Sequence, residues 1–404
     1  SGDFDAWKGL NLCSLVMSGI RGLGFKTPTP VQVATIKAVL EHEKDAIVAS
    51  ETGSGKTLAY AIPIINILAE RRVKMAEQGK EEGKKRLRAL IMTPTRELAI
   101  QVSNHFKVFA GKATGLRVSP IVGGMSQAKQ ERLLKEGPEI VVATPGRLWE
   151  LISGVGNEYL SDLSGLLFYV LDEADRMVQT GHFKELTQIS QLVKVSQQSQ
   201  LNTEEESMKM AEIEVASPDG QVNQRDAELG KLFTMVFSAT LSVSQARANA
   251  GWSSKQPNGD KPVDQLLSKL DFKRKIEVVD LTPDRVTVAK LKEYKLICND
   301  DEKDAYLYEF IMAHRPGRIL VFAKSIANVR RISSVLKQLH VHTVKLYSNM
   351  QQSSRMNAID QFRSSETCVM VASDVAARGI DIPQIACVVH YNVPDTADLY
   401  VHRS

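Results

Sequence analysis

Short apolar runs alternate with longer amphipathic stretches along the first part of the chain. The runs are rich in β-branched residues, which is typical of buried strands, and the stretches between them are long enough for crossover helices. Strands that alternate with helices in this way predict a parallel sheet covered by helices on both faces. The predicted strands lie in AIVAS, ALIMTPT, EIVVATP, LLFYVLDEAD and FTMVFSAT.

A second series of the same kind follows the polar segment DLTPDRVTVAK, residues 280–290. A proline among polar residues is typical of a connection between domains. The sequence therefore predicts an α/β protein with a first domain over residues 1–280, a linker over 281–290 and a second domain over 291–404. The strands of the second domain are predicted in RILVFAKS, HTVKLYS, CVMVASD and CVVHYNV.

The composition is that of a globular chain. Its 404 residues, of which 43% are hydrophobic and 24% are charged, can bury more than one core. No uninterrupted apolar run approaches the roughly 18 residues that span a bilayer, and the first residues, SGDFDAWKGL, lack the order of a signal peptide. We therefore expect a soluble intracellular protein without membrane association.

The four cysteines do not form a recognisable ligand pattern. Cys13, Cys298, Cys368 and Cys387 show no CxxC spacing, and the last two lie in predicted strands. Reduced thiols in the core are therefore favoured over a zinc site or a disulfide framework.

Charge is balanced over the whole chain but uneven locally. The formal net charge is only +4, which does not by itself indicate a nucleic-acid partner. Residues 71–88 hold eight Lys or Arg against three Glu, and we interpret them as a solvated loop, with an RNA or partner contact as the alternative. Residues 202–228 hold eight acidic residues against two basic ones and are predicted to be an insertion outside any core.

The stretch SETGSGKT, residues 50–57, directly follows the first predicted strand. Four residues separate Ser50 from Gly55, Lys56 and Thr57, which is the spacing of a phosphate-binding loop with serine in its first position. The glycines let the backbone N–H groups curl around an anion, and the helix that follows adds the positive end of its dipole. We expect Lys56 to reach the β and γ phosphates and Thr57 to hold Mg²⁺ through its hydroxyl.

Acidic residues follow the strand predicted in LLFYVLDEAD. Six apolar residues, 166–171, predict a strand buried on both faces, and Asp172 lies at its carboxyl end, where ligands bind in parallel sheets. We expect Asp172 to coordinate Mg²⁺ through water and Glu173 to be the general base that takes a proton from the attacking water. Capping of the next helix is the alternative when these carboxylates are considered alone.

Eight motifs in order make the sequence similar to the DEAD-box family of ATP-dependent RNA helicases. Because the motifs cover nearly the whole chain, the resemblance is specific. It implies two tandem RecA-like domains, ATP and Mg²⁺ as cofactors, and local opening of short RNA duplexes without translocation along the strand. The motifs are SETGSGKT, PTREL (94–98), GG (123–124), TPGR (144–147), DEAD (172–175), SAT (238–240), SDVAARGID (373–381) and YVHR (400–403).

The resemblance also implies how the nucleotide is bound. The upstream stretch GFKTPTPVQ is similar to the family's adenine-reading motif, in which Gln32 would pair with the edge of the base and Phe25 would face its ring. Trp7 offers a second aromatic face, with a place in the core as the alternative. The residues implied in nucleotide binding are Trp7, Phe25, Thr27, Gln32, Ser50, Glu51, Thr52, Gly53, Ser54, Gly55, Lys56, Thr57, Gly379 and Asp381.

RNA contacts in this family go to phosphates and sugars. The resemblance therefore implies binding without readout of base sequence, with the 2′-hydroxyl distinguishing RNA from DNA. A dedicated DNA helicase is the poorer alternative. The residues implied in RNA binding are Arg96, Gly124, Thr144, Arg147, Arg355 and Ser373.

Coupling between the two domains is implied by the same family pattern. Ser238 and Thr240 would hydrogen-bond toward Asp175 and His402, so that the phosphate site senses closure of the cleft between the domains. The residues implied in catalysis are Lys56, Asp172, Glu173, Ser238, Thr240, His402 and Arg403.

The last motif departs from the family pattern. Two further arginines normally follow YVHR and stabilise charge on the transferring phosphate, whereas this sequence stops at Ser404. We therefore expect the sequence to be a portion of a longer protein. Taken literally, it would hydrolyse ATP at least about a thousandfold more slowly for want of an arginine finger.

The stretch DEADRMVQTGHFKEL, with the basic insert upstream, is most similar to the nucleolar branch that acts on precursors of the large ribosomal subunit. This similarity implies ribosomal RNA and ribosome-assembly proteins as partners, a nuclear and nucleolar location, and a monomer within a larger particle. Two functions fit the motifs equally. One is an enzyme that opens RNA duplexes, and the other is an ATP-gated clamp that holds RNA or protein with little turnover.

Overall fold

The computed structural model describes the chain in segments that form two compact units, Ser1–Thr282 and Pro283–Ser404. Each unit is built around its own parallel sheet. Of residues 111–113, 158, 199–214 and 262–264 only the backbone is described. The described segments are residues 4–51, 53–79, 85–154, 158–179, 181–214, 231–239, 262–282, 291–374, 384–396, 399–400 and 403.

The sheet of the first unit has seven strands: β1 (Asp45–Ser50), β2 (Ala89–Met92), β3 (Val118–Ile121), β4 (Ile140–Ala143), β5 (Phe168–Leu171), β6 (Phe233–Ser238) and β7 (Ile276–Leu281). They lie in the order β3-β4-β2-β5-β6-β1-β7, and every neighbouring pair is parallel. The carboxyl ends of all seven strands therefore lie along one edge of the sheet.

Helices connect these strands and start at local sequence signals. Thr95 caps one of them by accepting a hydrogen bond from the Leu98 N–H at 3.2 Å, and Pro30 opens another after the capping residue Thr29. The helices described in this unit are α1 (Ser14–Gly22), α2 (Pro30–Leu40), α3 (Lys56–Glu77), α4 (Arg96–Thr114), α5 (Gln127–Lys135), α6 (Pro145–Ser153), α7 (Glu158–Ser161), α8 (Ala174–Gln179), α9 (Phe183–Glu214) and α10 (Pro262–Lys269).

Both faces of this sheet are covered by apolar side chains. In β1, Ala46 and Val48 belong to the core on one face, whereas Ile47 and Ala49 belong to the core on the other. Successive residues of a strand point to opposite faces, so a strand buried on both faces is apolar along its middle, and in β1 only the terminal residues Asp45 and Ser50 are polar. This burial is the reason why the central strands appear in the sequence as unbroken apolar runs.

The second unit has a four-stranded parallel sheet: β8 (Arg318–Ala323), β9 (Thr343–Leu346), β10 (Val369–Ser373) and β11 (Ile385–His390). Its strand order is β11-β8-β10-β9. Ile319 and Val321 of β8 pack on one face, and Leu320 and Phe322 pack on the other. The helices described in this unit are α11 (Lys303–Ala313), α12 (Ile326–Gln338) and α13 (Gln352–Ser364).

The predicted α/β class with two parallel sheets is confirmed, with differences in single strands. The strand predicted over 166–171 begins only at Phe168. Two strands, β3 and β7, were not predicted from the pattern. The first contains Pro120 and lies at an edge of the sheet, where a missing N–H is tolerated, and the second is an edge strand that is mostly half-exposed. Neither edge strand forms an unbroken apolar run.

The two charged inserts are partly helical. The helix α3 continues to Glu77, so the first residues of the basic segment are helix and the interpretation of 71–77 as loop is wrong. The helix α9 continues to Glu214 and includes the first half of the acidic segment. Residues 80–84, 215–230 and 283–290 lie outside the described residues. Within the described part, no helix is both long enough and apolar enough to cross a membrane.

Candidate active site

The candidate active site lies at the carboxyl ends of three adjacent strands, β1, β6 and β5. Val236 of β6 pairs with Ile47 of β1 on one side and with Leu171 of β5 on the other. The phosphate-binding loop follows β1, the DEAD motif follows β5, and Ser238 is the last residue of β6. The sheet therefore brings three motifs that are distant in sequence to the edge where ligands bind in such folds.

The loop after β1 has the curled backbone of an anion-binding turn. Gly53 and Gly55 adopt left-handed φ angles of 83° and 94°. Ser54 Oγ donates to the Glu51 carbonyl at 2.9 Å, which stabilises the turn from within. A Cβ at Gly55 would lie 2.6 Å from Gln32 Nε2, so both the backbone angle and this neighbour require glycine.

The ammonium group of Lys56 is buried at the base of this loop. It donates to the carbonyl of Ser50 at 2.7 Å and to that of Glu51 at 3.1 Å. Burial lowers the pKa of Lys56, and the nearby carboxylates of Asp172 and Glu173 oppose this shift. The cation therefore lies between the loop backbone and the acidic motif, where an anionic phosphate would find a positive charge.

The carboxylate of Asp172 is buried at the end of β5. Burial, with a contribution from Glu173, raises the pKa of Asp172 to about 6, while Lys56 and a hydrogen bond from Tyr60 act in the opposite direction. The Tyr60 hydroxyl lies 2.8 Å from Asp172 Oδ2, and since burial raises the pKa of Tyr60 the hydroxyl is the donor. At neutral pH the ionised carboxylate is the main form.

Glu173 has an unusual backbone and an arginine partner. Its φ angle is 54°, a left-handed conformation that is uncommon for a residue with a side chain. Its Oε2 accepts a hydrogen bond from Arg176 Nη1 at 2.8 Å, and both side chains are nearly buried. In this structure the predicted general base is therefore engaged in an ion pair within its own motif.

The oxygen donors at the site fit Mg²⁺ bound together with a nucleotide. Among the described residues, no group of three or more His, Cys, Asp or Glu could hold a metal ion by itself. Mg²⁺ is usually held by one or two protein oxygens together with phosphates and water. Thr57, the second residue of α3, and Asp172 supply such a pair of oxygens beside the loop.

Gln32 joins the predicted adenine motif to the phosphate-binding loop. Its Oε1 accepts from the Thr29 N–H at 3.0 Å, and its Nε2 lies 3.3 Å from the Gly55 carbonyl oxygen. The side chain is buried in a capping box at the start of α2. Thr27 is exposed beside this helix. The amide thus lies directly beside the phosphate-binding loop.

The two aromatic residues predicted for adenine have different environments. Phe25 is 39% exposed and can present its ring to a ligand. Trp7 is only 1% exposed, lies in the core of the first unit and donates its Nε1–H to the Phe25 carbonyl at 2.8 Å. The prediction that Trp7 faces the base is therefore wrong, because a core ring has no free face. Its role is to support the backbone at Phe25.

Predicted RNA contacts lie farther along the same edge of the sheet, after β2 and β3. Arg96 is the first residue of α4 and is exposed. Its guanidinium lies over Gly123, where an added Cβ would come within 2.9 Å of Nη2. Gly124 is exposed, with a φ angle of 78°. A side chain at position 123 would clash with Arg96, so the glycine lets the Arg96 guanidinium pack directly on the backbone.

Two further predicted contacts follow β4. Thr144 is buried at the end of the strand and precedes α6. Arg147 Nε donates to Gln130 Oε1 at 3.2 Å, and its Nη1 lies 2.7 Å from Glu150 Oε1. The guanidinium is thereby held in one orientation at the edge of the sheet.

In the second unit the structure contradicts two predictions. Arg355 is only 5% exposed and donates from Nη1 to the Tyr347 carbonyl at 2.9 Å, so it is not the surface RNA contact that was expected. Arg403 is also buried, with Nη2 2.8 Å from Asp374 Oδ2 and Nη1 2.7 Å from the Asn392 carbonyl. It ties together the segments after β10 and β11 and does not present a free guanidinium for catalysis.

Ser373 lies at the carboxyl end of β10 and is buried. Its Oγ has no hydrogen-bond partner among the residues that the structure describes. An unsatisfied buried hydroxyl at the ligand-binding edge of a sheet is compatible with its predicted contact to RNA.

The predicted relay is only partly described. Ser238 and Asp175 are both buried on adjacent segments, at the end of β6 and in α8. The other residues of the relay and part of the nucleotide set lie outside the described residues. These are Thr52, Thr240, Gly379, Asp381 and His402.

Two residues at this site were missed in the sequence. Tyr60 lies one helical turn after Lys56, and Arg176 lies three residues after Glu173. Tyr60 shares a face of α3 with Lys56, and Arg176 in α8 lies three residues after Glu173, which directly precedes that helix; these short spacings are the signal that could have revealed them. A tyrosine in an apolar helix and a charged residue after DEAD are, however, common enough to be passed over.

Comparison with known proteins agrees with this architecture. The chain matches the model of the DEAD/DEAH box helicases over residues 29–248 and that of the helicase conserved C-terminal domain over residues 302–404. Its fold is similar to a solved structure of the DEAD-box helicase Mss116 bound to ssRNA and UDP-BeF, with a TM-score of 0.73. The two sequences are 23% identical, and the match covers 100% of this chain and 72% of that chain. The tandem RecA-like fold is thereby confirmed.

Curated relatives are longer than this chain. It is 42% identical to DEAD-box ATP-dependent RNA helicase 13 of Oryza sativa subsp. japonica, over 99% of this chain and 48% of that protein. It is 37% identical to ATP-dependent RNA helicase mak5 of Aspergillus fumigatus, over 100% of this chain and 51% of that protein. The chain thus spans about half the length of these relatives. Because the first family model alone covers more than half of the chain, including the loop after β1 and the DEAD motif after β5, the chain belongs to the DEAD/DEAH box helicase family.

Proposed function

We propose that the protein is an ATP-dependent RNA helicase, an RNA-dependent ATPase that locally opens or remodels short RNA duplexes. The observation that carries this proposal is the convergence of Lys56, Asp172 and Glu173 after β1 and β5, the two strands that flank β6 in one sheet. The two relatives described above, at 42% and 37% identity, are named ATP-dependent RNA helicases, which supports the same activity.

Each residue of the ATP site has a chemical role in this proposal. Lys56 gives up its hydrogen bonds to the loop carbonyls and binds the β and γ phosphates instead. Gln32 pairs with the edge of the adenine, and Phe25 contacts its ring. Thr57 and Asp172 hold Mg²⁺, which when bound neutralises charge on the phosphates. The low exposure of Lys56 and Asp172 strengthens their interaction with a charged ligand, because little water screens them.

Glu173 is the general base of the proposed reaction. In this structure its carboxylate pairs with Arg176. The reaction requires Glu173 to turn from Arg176 toward the attacking water, because the carboxylate oxygen that takes the proton must lie within hydrogen-bond reach of that water. The strained backbone at Glu173 favours such a change, because a residue in this conformation is held only by its surroundings.

RNA binds, in this proposal, along the other half of the edge that carries the ATP site. Arg96, Gly124, Thr144 and Arg147 follow the adjacent strands β2, β3 and β4. Their chemistry suits phosphates and sugars, since it combines charged donors, a hydroxyl and a glycine that permits close approach. Ser373 supplies a further hydroxyl from the second unit. No base sequence would be read by such a set.

The biological role that we propose is the processing of ribosomal RNA and assembly of the large ribosomal subunit, in the nucleolus and with ribosome-assembly proteins as partners. Its support is the sequence DEADRMVQTGHFKEL and the placement of the basic insert. Crosslinking the full-length protein to cellular RNA and sequencing the bound fragments tests it. Recovery of large-subunit precursor RNA is the expected result, and recovery of messenger RNA instead would overturn it.

The variant Glu173→Gln tests the enzymatic function. We expect the full-length variant to bind ATP and RNA as the wild type does but to lose RNA-stimulated hydrolysis, by about a hundredfold or more, because the proton acceptor is removed. Phosphate release with and without RNA measures this loss. The matched control is Glu70→Gln, at an exposed position of α3, which should hydrolyse ATP normally.

The same variant separates the enzyme from the alternative clamp. A clamp requires closure but little turnover, so cells that carry Glu173→Gln would keep the biological function. An unwinding enzyme would lose both duplex separation and function in the same variant. Undiminished hydrolysis by Glu173→Gln would contradict the assignment of the general base itself.

A further inference from the structure

Tyr60 is a polar group in an otherwise apolar part of helix α3. It is completely buried, and its ring packs against Phe106 of α4 and Phe237 of β6, with centroid distances of 6.0 Å and 5.1 Å. A buried phenol needs a hydrogen-bond partner. The hydroxyl of Tyr60 has one at the active site, because it donates to Asp172 Oδ2 at 2.8 Å.

This hydrogen bond joins two residues that are 112 positions apart in sequence. One partner is anchored in the helix that begins at Lys56, and the other follows the end of β5. The aromatic neighbours restrain the ring, so the hydroxyl is a fixed donor. The terminal torsion of an aspartate is broad, and a fixed donor on one oxygen gives the Asp172 carboxylate a single orientation.

Tyr60 also lies near the second predicted oxygen donor of the site. Thr57 lies three residues before Tyr60 on the same face of α3. Tyr60 therefore lies beside both of the residues to which we assign Mg²⁺, and its hydroxyl donates to one of them, Asp172.

We infer that Tyr60 is a positioning residue, whose hydroxyl orients the Asp172 carboxylate and thereby increases the affinity of the site for Mg²⁺-bound over metal-free nucleotide. The inference rests on the proposed function, since it presupposes that the loop after β1 binds a nucleotide with Mg²⁺. The hydroxyl is neutral, so the carboxylate keeps its negative charge while one of its oxygens is fixed. Groups that orient a metal ligand in this way affect metal affinity although they do not contact the metal.

A second buried tyrosine provides a matched control. Tyr169 of β5 is also buried, but in the apolar core on the other face of the sheet, and its hydroxyl lies 3.0 Å from Ser190 Oγ. Replacing either tyrosine by phenylalanine removes one oxygen and one buried hydrogen bond. The two variants therefore share the cost to the core, and only one of them changes the surroundings of Asp172.

The test measures binding of fluorescent ADP to the full-length protein, once with Mg²⁺ and once with EDTA. The ratio of the two affinities reports the contribution of the metal. We expect Tyr60→Phe to lower this ratio by about tenfold, the effect usual for a group that orients a metal ligand, and to leave the affinity in EDTA unchanged. Tyr169→Phe should change neither value.

A double-mutant cycle shows whether Tyr60 acts through Asp172. In the background of Asp172→Asn, Tyr60→Phe should have no further effect on the ratio, because its target is already removed. Phe237→Leu keeps the hydroxyl but loosens one side of the ring, and should lower the ratio by less than Tyr60→Phe does. This variant serves the test even if Tyr60→Phe folds poorly.

The outcomes distinguish this inference from the proposed function. A ratio that is unchanged in Tyr60→Phe and in Phe237→Leu would overturn the positioning role. Equal losses of affinity with Mg²⁺ and with EDTA would overturn it too, because they indicate a structural effect alone. A wild-type protein that binds no nucleotide, or binds it equally with and without Mg²⁺, would instead contradict the proposed ATP site.

Discussion

At the scale of single residues, the partners of the guanidinium group separate arginines that the motifs treat alike. The Arg147 side chain, 12% exposed, lies between Gln130 and Glu150, whose own side chain is 67% exposed. Arg355 and Arg403 are buried, and carbonyl and carboxylate oxygens of the second unit accept hydrogen bonds from their guanidinium groups. An arginine whose partner lies at the surface can more readily exchange that partner for an RNA phosphate.

We predict that Arg147→Ala weakens RNA binding equally for all sequences. The slope of log affinity against log salt should decrease in magnitude by about one, because one phosphate contact and its released counterion are lost. Fluorescence anisotropy with several short RNAs over a range of salt concentrations measures both effects. The control is Arg117→Ala, at the opposite edge of the same sheet, where the side chain pairs with Glu139.

A loss of affinity confined to certain RNA sequences would contradict recognition of the backbone by Arg147. An equal loss in Arg117→Ala would show that general charge, and not the position at the strand ends, determines the affinity.

At the scale of elements, Asp45 holds three segments of the first unit together. It is the first residue of β1 and is completely buried. Its carboxylate accepts hydrogen bonds from the N–H of Thr234 in β6 at 2.7 Å and from that of Arg274, just before β7, at 3.1 Å. The strand that carries the phosphate-binding loop is thereby fixed to both of its neighbours. A titratable group in such a place makes the stability of the sheet depend on pH.

Burial raises the pKa of Asp45 from 3.8 to about 7, against the lowering effect of its backbone hydrogen bonds. Between these two pH values the Asp45 carboxyl group is ionised in the unfolded chain but keeps its proton in the folded chain. This group therefore stabilises the fold fully below pH 4, and its contribution is lost as the pH rises to about 7. A pKa shift of this size corresponds to a change of at most about 4 kcal/mol in the free energy of unfolding.

We predict that Asp45→Asn removes this pH dependence. The difference in unfolding free energy between variant and wild type should shift in favour of the variant as the pH rises from 4 to 7, and should be constant above that value. Guanidinium unfolding at a series of pH values measures the difference. Asp5→Asn, at an exposed position of the same unit, is the control, and the same trend in both variants would refute the role of Asp45.

At the scale of the whole molecule, each unit has its own sheet and its own apolar core. Units with separate cores commonly unfold separately. All residues described for the phosphate-binding loop, and the DEAD motif, belong to the first unit. A nucleotide should therefore stabilise the first unit directly.

We predict two transitions in calorimetric unfolding, of which one responds to nucleotide. A non-hydrolysable ATP analogue with Mg²⁺ at a hundredfold excess over its Kd should raise the midpoint of the first unit by about 5–10 °C. Lys56→Ala should abolish this rise and leave the other transition unchanged, because Lys56 is the cation at the loop. A single transition, or a nucleotide shift that persists in Lys56→Ala, would contradict the prediction.

The strands and the phosphate-binding loop could be predicted from the sequence where neighbouring residues alone carry the pattern. The glycines, Lys56 and Thr57 lie within a few residues of one another, and the strands before the loop and the DEAD motif are unbroken apolar runs. The edge strands β3 and β7 gave no such signal, since an edge strand need not be apolar on both faces. Trp7 and Arg355 were misplaced because their burial depends on how the elements around them pack, which a short motif does not show.

The sequence by itself determined the α/β class, the two parallel sheets and the identity of the phosphate-binding loop. These follow from the period of apolar residues and from backbone geometry that neighbouring residues set. Only the tertiary structure decided that Tyr60 donates to Asp172 and that Arg403 donates to Asp374. The partner and the exposure of a side chain depend on which elements pack against it, and packing joins residues that no local pattern relates.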